Sequence, residues 1–254
     1  MAIVTLLTDF GTADGYVAEM KGVLLSGAPG ATLVDVSHDV PAHDVEAGRL
    51  ALARYWRRFP RGTVHVAVVD PGVGSARAAL AVESDGRFLV GPDNGVLSPA
   101  LLAAGARAVA LPVAARAAPT FHGRDVFAPA AARLAGGAAL DSLGEPTDAC
   151  AVRRTPEARR LADGAVEGCV IAVDRFGNAV TNLVAGAAVA QHGGVVVVGG
   201  RAVPVRRVYA DVAPGEAVAV VGSNGLLEVA VREARAVDTL RIRRGDTVVL
   251  RTGG

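Results

Sequence analysis

The chain has 254 residues, 51% of them hydrophobic and 20% charged, and its formal net charge is +1 at pH 7. So much apolar material excludes a disordered chain, and so little net charge excludes a basic field that would recruit nucleic acid. The length suits one large or two small domains.

Lys21 is the only lysine, so arginine supplies nearly all the positive charge. With abundant Ala and Gly, this reads as compositional bias and not as a binding surface. Cys150 and Cys169 have neither zinc nor redox-motif spacing. No charged leader with an apolar core and cleavage site is present, and no uninterrupted apolar run reaches membrane-spanning length. A soluble cytoplasmic protein with no membrane partner is expected.

Ala2 to Leu7 (AIVTLL) has the pattern of a buried strand and ends in Thr8-Asp9-Phe10-Gly11-Thr12, a carboxylate at a strand end beside glycine. Asp14 is placed to cap a helix carrying Val17, Met20, Val23 and Leu24 at helical spacing. Thr32 to Val36 is a second strand, followed by Ser37-His38-Asp39. Asp44 can cap a helix with Val45, Gly48, Leu52, Tyr55 and Phe59 on one face. Val64, Val66, Val68 and Val69 then form a β-branched run of the kind buried on both faces. That run stops at Asp70, before Pro71-Gly72, and the loop returns Arg77. Ala79 to Val82 and Arg87 to Val90 are further strands, the second leading into Gly91-Pro92-Asp93-Asn94-Gly95. A helical stretch around Leu97 to Ala104 and a strand at Ala108 to Val113 follow. Thr120-Phe121-His122-Gly123-Arg124-Asp125 precedes an alanine-rich helix from Val126 to Leu134, with Asp125 as its candidate cap. Strands alternating with helices predict an α/β domain over residues 1–150, with a mostly parallel sheet covered by helices on both faces.

The texture changes after about Asp148. Arg153 to Asp163 is charged, carries Pro156 and reads as a linker. From Gly168 helical periodicity fades. Short β-rich runs follow at Cys169–Val173, Ala179–Leu183, Val195–Val198, Ala202–Val208, Ala217–Val221, Leu226–Val231, Thr239–Ile242 and Thr247–Leu250, punctuated by Gly, Pro, Asn or Asp. They predict an all-β, barrel-like or sandwich domain over residues 165–254.

In open α/β sheets, ligands bind at the carboxyl ends of the strands. One loop there offers a carboxylate, Asp70, and a fixed positive charge, Arg77. By itself a strand-end Asp also serves to cap its own turn, with Arg77 as a surface partner. Asp9, Asp14, Asp93, Asn94 and His122 fall at comparable strand ends. The β-rich half adds two polar turns, Asp174-Arg175-Phe176-Gly177-Asn178 (continuing to Thr181-Asn182) and Gly222-Ser223-Asn224-Gly225. Such residues often bond only their own backbone, but an aromatic beside amides suits a purine or ribose. His38, His43, His65, His122 and His192 form no HExxH pattern, and GxSxG, GxxxxGK[ST] and dinucleotide fingerprints are absent. A metal-dependent nucleotide phosphatase would want adjacent carboxylates, whereas Asp9 has no acidic neighbour. A non-enzymatic protein that binds such a nucleoside, or a compound carrying one, would keep Phe176, Asn178 and Ser223 without needing Asp70, Arg77 and His122 together.

The segments TDFGTADGYVAEMKG, VVDPGVGSAR, GPDNG, FHGRDVFAP, DRFGNAVTN and SNGLLEVA occur in this order across both halves. Together they resemble the S-adenosylmethionine hydrolases, or S-adenosylmethionine hydroxide adenosyltransferases, relatives of the S-adenosylmethionine fluorinases and chlorinases. The resemblance implies an N-terminal α/β domain, a C-terminal β-barrel domain and a homotrimer with sites between subunits. It also implies cleavage of S-adenosyl-L-methionine to adenosine and L-methionine, without cofactor or metal. The family's water-activating triad falls on Asp70, Arg77 and His122. Its ligand positions fall on Asp9, Asp14, Asp174, Asn178, Tyr209, Ser223, Glu228 and Val231, with Phe176 and Asn182 nearby. The halogenase relatives carry tyrosine at the place of Asp70 and lack the histidine of His122, so the resemblance sides with hydrolysis. They also have Ser-Arg where this chain has Ser223-Asn224, and an amide cannot give the bidentate charged grip that arginine offers a carboxylate.

Overall fold

The structure, a computed structural model, describes residues 2–184 and 194–251; His192 lies outside them. The chain divides into two units, Met1–Arg154 and Thr155–Gly254.

In the first unit β1 (Ile3–Thr8), β2 (Thr32–Ser37), β3 (Val64–Val68), β4 (Ala79–Ser84), β5 (Arg87–Pro92), β6 (Arg107–Ala110) and β7 (Glu145–Pro146) form one sheet, in the order β2-β1-β3-β5-β4-β6-β7. β1 runs parallel to β2 and β3, and β3 parallel to β5. The pairings β5–β4, β4–β6 and β6–β7 are antiparallel. The sheet is therefore mixed, which corrects the expectation of a mostly parallel one. The cause is local: only Asp85-Gly86 separates β4 from β5, and both residues have positive φ, 50° and 69°. Asp-Gly in that conformation folds a chain back on itself as a hairpin, and a two-residue link is too short for a parallel crossover.

Helices cover both faces. They are α1 (Tyr16–Gly27), α2 (Val45–Tyr55), the short α3 (Ser98–Leu101) and α4 (Ala128–Ala135). Alternation along β3 sends Val64, Val66 and Val68 to one layer, with Met20, Leu24 and Phe127. Ala67 and Val69 go to the other, with Leu52, Trp56 and Leu97. Asp44 caps α2, its Oδ1 accepting from the Ala47 N–H at 2.9 Å. Asp14 and Asp125 do not act as the caps expected of them. α1 starts from Gly15, at φ 80°, with no side-chain cap. Asp125 lies within a π-helical turn, Gly123–Phe127, that runs straight into α4. His65 is a structural residue of β3: its Nδ1 lies 2.8 Å from Thr5 Oγ1, its ring sits edge-on to Tyr55 and Phe59, and burial pulls its pKa down to about 4.

The second unit has β8 (Arg159–Arg160), β9 (Val166–Val173), β10 (Ala179–Val184), β11 (Val195–Val198), β12 (Arg201–Pro204), β13 (Ala217–Val221), β14 (Leu226–Val231) and β15 (Thr247–Arg251). Their order is β12-β11-β15-β9-β10-β14-β13, with β8 beside β9. Every named pairing is antiparallel. A bridge from Val205 to Ala219 draws the two edges together, so the sheet is nearly closed around Val170, Leu183, Val196, Leu227, Val248 and Leu250. The run Thr239–Ile242, expected as a strand, is instead entered through a short helix, α5 (Ala236–Leu240). Ala236 and Leu240, one helical turn apart, are both buried, and that packing overrides the β preference of Thr239 and Ile242. None of the described helices is long and apolar enough to cross a membrane.

One glycine couples the sheet to the strand end that carries Asp70. A Cβ on Gly91 of β5 would stand 2.3 Å from the Ala67 carbonyl oxygen of β3. Gly91→Ala must push β3 and β5 apart three residues short of Asp70. We expect a loss of about 1–3 kcal/mol, read as a lower thermal midpoint together with weaker activity; an unchanged midpoint would contradict this packing.

Candidate active site

β3 delivers Asp70 just past its carboxyl end, and the Asn94 Nδ2 pins the preceding residue by donating to the Val69 carbonyl at 2.8 Å. The Asn94 Oδ1 accepts from the Val96 N–H, so this amide is spent on holding the strand end. The loop after Asp70 then turns at Gly74, at φ 77°, where a Cβ would lie 2.5 Å from the Pro119 carbonyl oxygen. Only glycine permits both the backbone angle and that approach. The Asp70–Arg77 loop thereby packs against the segment that leads to His122.

Three side chains meet there. Arg77 Nε donates to Asp70 Oδ1 at 2.9 Å, and Arg77 Nη2 donates to Asp70 Oδ2. The same Nη2 lies 3.0 Å from His122 Nδ1. The Asp70 and Arg77 side chains are 5% and 10% exposed, and His122 is buried. The surface-pair reading of Asp70 and Arg77 therefore gives way to a buried, bidentate pair with a third partner. The Arg77 guanidinium also lies over the Phe127 ring, 5.4 Å from its centre.

This geometry decides the state of His122. A guanidinium can only donate, so His122 Nδ1 is the acceptor, the ring is neutral and its proton sits on Nε2. Burial, and then the positive charge of Arg77, pull the His122 pKa below the ordinary 6.5, against the opposite pull of Asp70 and Asp125. His122 directly precedes the π-helical turn Gly123–Phe127, a form frequent at functional sites. Asp125 Oδ2 accepts from the Ala118 N–H at 2.8 Å. Hydrogen bonds from Arg124, and then from Ala118, hold its carboxyl down at about 2.

Asp9, at the end of β1, accepts from the His43 N–H through Oδ2 at 2.8 Å. Asp14 is exposed. Phe10, Tyr16 and Phe121 pack edge to face, with ring centres 5.3–6.1 Å apart, tying the loop of Asp9 to the loop of His122. Phe127 under Arg77 and the Phe10–Phe121 contact are parts of this site that sequence reasoning missed. Their partners are 50 and 111 positions away, with no local spacing to mark them.

The second unit has its own polar group. Asp174 accepts from the Asn178 backbone N–H at 2.8 Å and from Asn178 Nδ2 at 3.0 Å, closing a turn from which Phe176 projects, 76% exposed. Tyr209 donates to Glu228 Oε2 at 3.3 Å; burial, and then Glu228 and Asp174, push its phenol pKa up. Ser223 and Asn224 form the β13–β14 turn, where Asn224 Oδ1 accepts from the Leu226 N–H. Val231 is buried in the barrel wall. Asn182 lies inside that wall, with Oδ1 accepting from the Cys169 N–H at 2.7 Å and Nδ2 donating to the Pro156 carbonyl at 2.8 Å. Among the described residues, no three His, Cys, Asp or Glu side chains gather as a metal-ligand set.

Two family models match the chain: the SAM hydroxide adenosyltransferase N-terminal domain over residues 4–144, and the corresponding C-terminal domain over residues 168–249. The chain belongs to the SAM hydroxide adenosyltransferase family. Its sequence is 44% identical to the (R)-S-adenosyl-L-methionine hydrolase of Thermus thermophilus over 98% of this chain and all of that one. A fluorinase from Actinopolyspora mzabensis is a more distant relative, 32% identical over 71% of each chain. The crystal structure of an uncharacterized conserved protein from Thermotoga maritima superposes with a TM-score of 0.88 at 30% identity, covering 97% of this chain and 99% of that one. In the first unit the Asp70–Arg77–His122 set brings a carboxylate, a fixed positive charge and an imidazole into direct contact.

Proposed function

We propose that the chain hydrolyses S-adenosyl-L-methionine to adenosine and L-methionine, as a cytoplasmic homotrimer in which neighbouring subunits complete each site. The observation that carries this reading is the buried Asp70–Arg77–His122 set, in a chain whose hydrolase relative matches it from end to end. The sulfonium is already a good leaving group, so the enzyme's task is to hold and activate water behind the 5′ carbon. The water oxygen bonds to C5′, the C5′–S bond breaks with its electron pair passing to sulfur, and neutral methionine leaves. No cofactor enters this balance.

The roles of the three residues differ. Arg77 stabilises the developing hydroxide by charge. His122, with Nδ1 occupied by Arg77, offers Nε2–H as a donor that orients the water. That leaves the Asp70 carboxylate as the group able to take the proton. Asp9, Asp14, Asp174, Phe176, Asn178, Tyr209, Ser223, Asn224 and Glu228 would bind the nucleoside and amino-acid parts, with Asn182 and Val231 shaping the wall behind them.

The test is chromatography of S-adenosyl-L-methionine incubated with pure protein, with and without chelator and with and without saturating chloride or fluoride. Adenosine and methionine are expected in every arm, because the Asp70 anion disfavours halide where the halogenase relatives carry tyrosine. A dominant 5′-halo nucleoside, or activity that chelator abolishes, would overturn the reading. Light scattering on the same sample should give the mass of three chains, and a fully active monomer would refute the assembly.

A further inference from the structure

We propose that His38 is a positioning residue for Asp9: through Thr8 it sets the strand-end loop that presents the Asp9 carboxylate. The inference rests on the reading of Asp9 as a substrate contact. Thr8, His38 and Asp35 stand in the order of a nucleophilic triad, with Thr8 Oγ1 2.8 Å from His38 Nδ1 and His38 Nε2 3.1 Å from Asp35 Oδ1. Thr8 is completely buried, so its hydroxyl cannot meet a substrate. It accepts from the Phe10 N–H at 3.3 Å instead, spanning the backbone of Asp9. The His38 carbonyl then accepts from the Gly11 N–H at 2.8 Å. His38 thus grips the chain on both sides of Asp9, once through Thr8 and once directly.

The far end of this link is anchored. Asp35 accepts from Lys21 Nζ at 2.5 Å, so β2 and α1 hold the carboxylate that faces the imidazole. Partial burial alone would raise the Asp35 pKa, but Lys21 and His38 outweigh it and keep the group ionised. Asp9 itself is fixed by the His43 N–H at only one oxygen among the hydrogen bonds described. Its orientation otherwise follows from the backbone on either side, which is what His38 controls. Thr8 and His38 are buried, and the backbone they hold lies on either side of Asp9, so their effect on the site passes through that residue.

The experiment measures KM and kcat for S-adenosyl-L-methionine, with calorimetric affinity and a thermal melt, in His38→Ala, His38→Asn, Thr8→Val, the His38→Ala/Thr8→Val double variant and Asp9→Ala. His38→Ala and Thr8→Val should each raise KM about tenfold, the scale of one lost hydrogen bond, with kcat within about threefold. The double variant should be no worse than the worse single one, since both cut the same link. His38→Asn, which restores an acceptor at the Nδ1 position, should recover most of the affinity. Asp9→Ala should raise KM at least as much. Normal KM in His38→Ala beside a raised KM in Asp9→Ala would overturn the positioning role and leave the function intact. Loss of melting temperature and kcat alone, with affinity unchanged, would also overturn it. Normal KM in Asp9→Ala would remove Asp9 from the substrate site, and the inference with it.

Discussion

Arg77→Ala should lower hydrolysis of S-adenosyl-L-methionine by about 10²–10⁴-fold, the usual worth of a preorganised charge or acid–base group. The reason is that Arg77 is the shared member of the set: it forks onto both Asp70 oxygens and reaches His122 Nδ1. Arg77→Lys keeps a positive charge but not the fork, and a point charge cannot satisfy three acceptors in fixed directions. It should therefore recover little of the rate. Stability must be followed at the same time, because removing Arg77 leaves the Asp70 carboxylate buried without its partner, which typically costs about 3–5 kcal/mol. The Asp70→Ala/Arg77→Ala double variant removes that orphan charge. It should melt closer to the parent than Arg77→Ala while remaining inactive. Product chromatography and thermal melts read both quantities, and an Arg77→Ala protein with near-parent turnover would exclude the proposed mechanism.

A comparably large effect separates two substitutions at His122. His122→Ala should lose about 10²–10³-fold in turnover, the usual cost of removing one preorganised hydrogen-bond donor. His122→Gln, whose amide can donate where Nε2–H stands but cannot take up a proton, should lose no more than about tenfold, the scale of a single net hydrogen bond. The Asp70→Ala/His122→Ala double variant should fall well short of the product of the single losses, since a water missing one partner is already misplaced. The pH profile gives an independent reading. The working form of His122 is neutral, and burial and Arg77 pull its pKa below 6.5. Activity should therefore persist as pH falls past 6.5 and decline only at lower pH, as protonation puts an N–H against the guanidinium. In His122→Gln that part of the acid limb should vanish. If His122→Gln proves as inactive as His122→Ala, the imidazole is the proton acceptor and the role given to Asp70 is wrong.

Much of this architecture follows from local pattern. The β-branched run at Val64–Val69, the helical spacing of Val17, Met20 and Leu24, and the Asp44 cap each depend on residues within a turn or two of one another, so periodicity exposes them. The same holds for the change in texture near Asp148 and for the six ordered segments that carry the family resemblance. Tertiary structure decided what depends on distant partners. The Asp85-Gly86 hairpin that sets β4 antiparallel to β5 is not of this kind: it is a local two-residue link, legible in the sequence. Burial of Ala236 and Leu240 makes a helix where residue preferences favoured a strand. Arg77 meets His122 across 45 positions, through the close approach of Gly74 to Pro119, and that contact assigns the imidazole its tautomer. His38 reaches Thr8 across 30 positions because β1 and β2 pair in parallel. Side-chain chemistry is written in the sequence, but which donor faces which acceptor is set by packing between segments that the chain keeps far apart.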